Sequence, residues 1–271
     1  MNQSTPAPDG IPPETIVREK EEGTEKTALQ AALTDEKKSA LAKYQDLAIG
    51  SSSIATLIKY EFLTTLVGPL PGAVGLVLRK KLYKSLFGSV GRNVIFGKSI
   101  TIRHPHKIHI GDNVIIDDYA VLDAKGNSNQ GITIGNDVMI GRNTVISCKN
   151  GDVSIGDNTN IAMNCFIQSG KTVDIGKNVL FAPYSYVIGG GDHEITRTDV
   201  PIIAQGQVIR GITIADNCWI GADVKILDGV HVQNDAIIGA GAVVTKPVEA
   251  FGIALGIPAK VSRVRTSEPQ P

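Results

Sequence analysis

Aromatic side chains are scarce in this chain: Phe, Trp and Tyr supply 5% of 271 residues, against 29 glycines. That balance argues against a bulky globular core and for repetitive turns. Cysteine is equally sparse. Cys148, Cys165 and Cys218 form no CxxC pair, so they suit a reducing compartment, the cytoplasm, better than a disulfide framework. Neither sign of charge dominates, since Lys plus Arg and Asp plus Glu total 27 each. With zero net charge, no global basic field exists to hold nucleic acid. The first thirty residues contain Pro6, Pro8, Pro12 and Pro13 but no apolar run, which argues against a cleavable secretion signal. At 42% hydrophobic content the chain can still bury a substantial core, and one domain with an appendage is the expected organisation.

Residues 1–25 combine proline and charge with little to bury, and read as a disordered tail. A helical region is expected over 26–88. From Thr27 to Ile49, Leu29, Ala32, Leu33, Ala40, Leu41, Tyr44 and Leu47 recur at helical spacing among polar residues. Gly50 and the three serines after it break that pattern. The uncharged run from Phe62 to Leu78 follows, interrupted by Pro69 and Pro71 and closed by Arg79, Lys80 and Lys81. It is short for a spanning helix and broken in the middle. Two readings stand: a peripheral membrane contact flanked by basic residues, or a pair of short helices capping the apolar end of the next domain.

That next domain, expected over 89–247 and followed by a C-terminal extension at 248–271, is written in sixes. Stepping by six gives Val90, Phe96 and Ile102; Ile110, Ile116 and Leu122; Ile134, Ile140 and Ile146. The same step gives Ile155, Ile161 and Ile167; Ile175, Phe181 and Val187; Ile214, Ile220 and Ile226; Val232, Ile238 and Val244. Two residues earlier sits a small or branched side chain in nearly every case, such as Ala120, Val138, Thr144, Cys165 and Val224. That is strand alternation with two inward side chains per short run. Gly, Asp and Asn after the aliphatic position suit tight corners. Three hexads make an 18-residue coil of three strands, and seven stacked coils make a triangular parallel β-helix.

The interruptions in this count are as informative as the count. Ile102 to Ile110 is 8 residues, Leu122 to Ile134 is 12, Ile146 to Ile155 is 9, Ile167 to Ile175 is 8, and Val187 to Ile214 is 27. A solenoid needs no such excursion for stability, so the longest one is expected to be functional. It opens with Gly189, Gly190 and Gly191 and carries His193. Histidine is the side chain best suited to accept and return a proton near neutral pH. Asp192, Glu194 or Asp199 would orient its ring.

Four blocks carry a family resemblance: Thr172 to Glu194 (TVDIGKNVLFAPYSYVIGGGDHE), Ile212 to Val230 (ITIADNCWIGADVKILDGV), Ile237 to Lys246 (IIGAGAVVTK) and Gly256 to Val264 (GIPAKVSRV). In this order they are similar to the galactoside, maltose and polysaccharide O-acetyltransferases of the hexapeptide-repeat acyltransferase family. The resemblance implies a left-handed β-helix, although the general handedness rule for parallel crossovers would give the opposite hand. It implies a homotrimer with sites between subunits, acetyl-CoA as co-substrate, no metal, and a saccharide-type acceptor such as an envelope precursor. His193 matches the family's general base, and Asn164 its asparagine that stabilises the transition state. The CoA-contacting positions fall on Ala222, Ala240, Thr245, Lys246, Lys260 and Arg263. The N-terminal region does not match the family's acceptor-binding segment, so no sugar is implied.

Rival readings remain on the same fold. N-acetylation of an amino sugar nucleotide differs only in the acceptor atom, and a scaffold without activity would need none of these residues. A zinc lyase would need three converging histidines; His104, His106 and His109 lie close in sequence, but His109 is expected to point outward between Ile108 and Ile110. Cys165 and Cys218 occupy the small inward position and are expected to be core residues.

Overall fold

A computed structural model describes residues 16–18 and 33–266. The chain folds as a parallel β-solenoid behind an N-terminal helical cap. Its strands form three parallel ladders. The first runs from Ser89–Val90 to His231–Val232, the second from Ile95–Phe96 to Gly252–Leu255, and the third from Thr101–Arg103 to Val243–Val244. Each coil contributes one strand to each face, giving seven full coils and part of an eighth. The solenoid therefore continues beyond residue 247: Val248 bridges Val232, and Gly252–Leu255 adds to the second face. The antiparallel strand Lys260–Val264 then covers that face's last edge.

The six-residue period survives because each hexad places the same two side chains inward. Every residue of the seven aliphatic triplets is buried except Val90, which is half-buried against the cap. Register is kept coil by coil, with Ile146 beside Leu122 on one side and Ile167 on the other. Three inward hydroxyls are tied to the adjacent coil. Thr144 Oγ1 donates to the Ala162 carbonyl at 2.8 Å, Thr159 Oγ1 to Gly176 at 2.9 Å, and Ser185 Oγ to Gly221 at 3.0 Å. The thiols are part of this packing: Cys165 and Cys218 point inward, and Cys148 closes the strand Val145–Cys148 at 1% exposure. Burial pushes the Cys148 thiol up to about 12 and the Cys218 thiol up to about 11.

The three corners differ. Between the first and second faces, Asn93, Asn113, Asp137, Asn158, Asn178, Asn217 and Asp235 all adopt left-handed backbone. Their side chains join successive coils; Asn158 Nδ2 donates to Asn178 Oδ1 at 2.7 Å, and Asn178 Nδ2 to Asn217 Oδ1 at 3.1 Å. Between the second and third faces a second left-handed line runs through Tyr119, Asn143, Asn164, Tyr184 and Asp223. All five interruptions counted in the sequence fall at the third corner, where the third face returns to the first. That corner alone is free to change length without breaking a ladder.

After helical backbone at Leu33 and Thr34 and a turn, the chain forms α1 (Ala40–Tyr44), capped by the Ser39 side chain, and a π turn ended by Gly50 at φ 73°. The part of the expected helix before residue 33 lies outside the described residues. Next comes α2 (Ile54–Glu61), whose N-cap Ser53 accepts from the Thr56 amide, running on as a π turn over Phe62–Val67. After the Pro69 and Pro71 break, α3 (Gly72–Leu82) follows. Tyr60, Leu63, Val67, Tyr83, Leu86 and Phe87 are buried over the first coil; the Phe87 ring stacks on Phe96 at 5.3 Å, and the Tyr83 ring packs against Phe96 at 5.5 Å, tilted by 59°. Arg79, read from sequence as part of an outward basic flank, turns inward instead. Its Nε donates to the Phe96 carbonyl at 2.9 Å and its Nη1 to Leu70 at 2.6 Å, filling acceptors that the broken helix end and the first coil leave open. Among the described residues no helix is long and apolar enough to cross a membrane.

Three outcomes test this packing. Replacing Asn178 with Ala removes two side-chain bonds between coils and puts an alanine at left-handed φ, which is expected to cost about 1–3 kcal/mol in urea unfolding. Ile161→Ala, at a site with 0% exposure, is expected to cost about 2–5 kcal/mol. The three thiols are expected to resist a disulfide reagent at pH 8 in native protein and to react at once in denaturant.

Candidate functional site

The excursion after Val187 is a folded appendage. Asp192–His193 pairs antiparallel with Gln207–Ile209, which pairs on its other side with Ile16–Arg18. The strand at 16–18 falls within the stretch whose composition reads as a disordered tail; the rest of that stretch lies outside the described residues. The glycines explain how the appendage can lie against the coil below. A side chain on Gly191, at φ 83°, would meet Ile209 Cγ1 at 2.5 Å, and one on Gly190 would meet Gln168 Nε2 at 2.9 Å. Ile209 is 1% exposed and fastens the excursion to the solenoid.

A charged clamp holds the far end. Asp228 accepts from the backbone amides of Arg210 and Gly211 at 2.7 and 3.0 Å, and Arg210 Nη1 reaches Asp192 Oδ2 at 3.0 Å. Burial raises the Asp228 carboxyl above its ordinary value, against the lowering effect of the two amides. Farther out, Gln205 is buried at 5% exposure and exchanges hydrogen bonds with the Arg197 backbone. Arg197 also pairs with Asp199.

His193 is exposed, and its Nε2 lies 2.9 Å from Gln207 Nε2. The strand register sets His193 directly opposite Gln207. As placed, the amide nitrogen donates, so Nε2 accepts and the proton sits on Nδ1; turning the amide reverses the tautomer. None of the three carboxylates weighed as orienting groups holds the ring. Asp192 goes to Arg210, Asp199 to Arg197, and Glu194 is exposed with its amide bonded to the Gly206 carbonyl. Sequence gave no signal for Gln207, a polar residue in a loop without periodicity. The clamp had a partial signal in the Asp228-Gly229 turn, where Gly229 is left-handed at φ 82° and packs on Arg210.

Asn164 lies at the second corner, at φ 58°, with its backbone N–H donating to the Arg142 carbonyl at 3.0 Å. Ala222 and Ala240 continue the same edge two and three coils on, tied by the Gly241 amide donating to Ala222 at 2.8 Å. The turn before Lys260 folds onto this edge, since the Ala259 amide donates to Val243 at 2.7 Å. Thr245 and Lys246 follow the last strand of the third face and so lie at the third corner, the one that bears His193. Arg263 sits on the outer strand opposite Ile253. One chain thus gathers Asn164, Ala222, Ala240 and Lys260 along one edge. His193, Thr245 and Lys246 lie along the next, across a face whose strands are two to four residues long.

The histidines weighed for a zinc site do not converge on a common point. His104 Nε2 bonds to the Asp46 carbonyl at 2.9 Å, and His109 Nδ1 to Ser89 Oγ at 3.0 Å on the exposed side of its strand. Among the described residues no group of three His, Cys, Asp or Glu is placed to hold a metal.

Coils, corners and period together define a hexapeptide-repeat solenoid. Residues 211–246 match the bacterial transferase hexapeptide (six repeats), and residues 131–169 match the hexapeptide repeat of succinyl-transferase. The chain is similar to the galactoside O-acetyltransferase of Escherichia coli (strain K12), 35% identical over 116 residues, covering 41% of this chain and 54% of that protein. It is also similar to the galactoside O-acetyltransferase of Lactococcus lactis, 28% identical over 114 residues, covering 41% and 53%. The chain therefore spans about half the length of these curated relatives. Among solved structures, AntD, an N-acyltransferase from Bacillus cereus, aligns over 69% of this chain and 88% of that one, with 23% identity and a TM-score of 0.48.

The clamp generates a test with a defined sign. Because the folded Asp228 binds its proton more tightly than the unfolded one, the parent loses stability relative to Asp228→Asn as pH rises from 3.8 through the raised value. At neutral pH Asp228→Asn also removes one acceptor from the Arg210 and Gly211 amides. Limited proteolysis between residues 190 and 211 is expected to speed up in this variant, with the solenoid left intact.

Proposed function

We propose that the chain is an acetyl-CoA-dependent O-acetyltransferase acting on a hydroxyl of a saccharide or saccharide-containing envelope precursor. The observation that carries this reading is His193 itself: an exposed imidazole on a short strand, braced by Gln207 and standing off a rigid solenoid. The likeness to galactoside O-acetyltransferases supports the chemistry.

The acceptor hydroxyl is too weak a nucleophile at neutral pH, and His193 removes its proton as the C–O bond forms. The thioester supplies the activated acetyl group, so no metal or acyl-enzyme is needed. The Asn164 amide is assigned to the developing oxyanion. Ala222 and Ala240 present a ledge without bulky side chains, along which an extended pantetheine arm fits, and Lys246, Lys260 and Arg263 are assigned to the nucleotide phosphates. Proton return to the departing thiolate falls to His193.

An assembly of more than one subunit is what the family resemblance implies. His193 and Asn164 lie on neighbouring edges of one chain, separated by a face. Setting the His193 edge of one subunit beside the Asn164 and Ala240 edge of the next closes the gap, and three such contacts close a ring. A homotrimer with three intersubunit sites is therefore part of the proposal.

The test is acetyl-CoA-dependent thiol release measured against sugars, sugar nucleotides and lipid-linked glycans. His193→Ala is expected to reduce the rate by about 10²- to 10⁴-fold while acetyl-CoA binding in equilibrium dialysis is retained. An unchanged rate in that variant would sink the mechanism. Release with amino sugars alone would reassign the protein to N-acetylation, and absence of acetyl-CoA binding would make it a scaffold.

A further inference from the structure

We infer that the outer face of the helical cap is a docking surface for an anionic lipid bilayer. This does not depend on the acetyl-transfer reading. The helix that begins at Ile54 and continues through the π turn to Val67 has two unlike sides. Tyr60, Leu63 and Val67 face the first coil at 7%, 4% and 5% exposure. On the other side, every fourth residue is apolar and open: Ile54, Ile58, Phe62 and Leu66 are 53–64% exposed. Beyond the proline break, Val74 is 70% exposed and Val77 47%, and Ala73, Val74, Val77 and Leu78 line a wholly apolar hollow.

A cap that only sealed the solenoid would carry polar residues on this side. The sequence reading confined the apolar segment to Phe62–Leu78. The fold divides it differently, turning Leu63, Val67 and Arg79 inward and extending the open face back to Ile54.

Charge selects the occupant. Between residues 50 and 90 the ionisable groups other than the buried Arg79 are Lys59, Lys80, Lys81 and Lys84 against Glu61, four minus one, or +3, in a chain whose total is zero. Glu61 is engaged by the Tyr44 hydroxyl, and Lys81 and Lys84 are exposed. A second copy of this face would set +3 against +3. An anionic bilayer surface matches both features, taking the apolar row into the headgroup boundary and drawing the lysines to its charge. The helix of residues 54–67 is only about 21 Å long at 1.5 Å per residue, which suits lying in the interface.

The test is flotation of the full chain with vesicles of phosphatidylcholine alone or with about one-third phosphatidylglycerol. The parent is expected to float with the anionic vesicles, to be left behind by the neutral ones, and to be released by about 0.5 M salt. The double variant Ile58→Glu with Phe62→Glu is expected to lose at least about tenfold in bound fraction with an unchanged thermal midpoint, since both residues are exposed. Lys80→Gln with Lys81→Gln, which leaves the apolar row intact, is expected to weaken flotation in the same direction. Failure of the parent to float with anionic vesicles, or undiminished flotation of both variants, overturns the inference. Concentration-dependent self-association abolished by Phe62→Glu would overturn it as well, by giving the face to a second copy.

Discussion

Main-chain hydrogen bonds between successive coils are the constraint on which the rest of this molecule depends. Each coil must return to the same lateral position before the next begins, or every bond beyond the slip is lost. Two corners achieve this with a left-handed residue placed three after the aliphatic position, Asn or Asp along the first corner and also Tyr119 and Tyr184 along the second. Buried hydroxyls of Thr144, Thr159 and Ser185 hold neighbouring coils together from within. The apolar triplets contribute most of the burial, but they can do so only because the corners hold them in register.

The same constraint decides where function can be placed. The first two corners tolerate no insertion, because extra length there would displace a ladder on each side. The third corner closes each coil after its three strands are complete, and it absorbs two, six, three, two and then 21 additional residues in five successive coils. The excursion bearing His193 is the largest example, and it is fastened where it returns: Ile209 buries beside Gly170 and Gly191 of the outgoing side, and Asp228 binds the next two amides as the chain rejoins the solenoid. His193 is consequently an exposed side chain on a supported strand.

Much of this was legible in the sequence because burial and period coincide. A six-residue step with an aliphatic at its end has one geometric meaning, and the breaks in that step mark corner insertions before any coordinates exist. Other features carry no periodic signal. Arg79 sits beside Lys80 and Lys81 in an ordinary-looking basic run; only the proximity of the Phe96 and Leu70 carbonyls shows that it turns inward. The strand at Ile16–Arg18 is three residues in a proline-rich, charged stretch, and its pairing with Gln207–Ile209 is a contact across nearly two hundred residues of chain. Gln207 beside His193 is likewise set by strand register, which local composition cannot specify.

The cap and the excursion are consequences of one geometric fact, that a solenoid must end and must turn. Its open end would expose Phe96 and the first-coil carbonyls; Tyr83, Phe87 and Arg79 cover them. Covering that end requires only one side of the helix from Ile54 to Val67, so its opposite side is free to carry other information. Its third corner requires only that the chain return, so the path of return is equally free. The strictest parts of the fold thus leave two places unconstrained by folding. In those two places lie the open apolar row beside lysines and the histidine on its braced strand, features that solenoid stability alone does not account for.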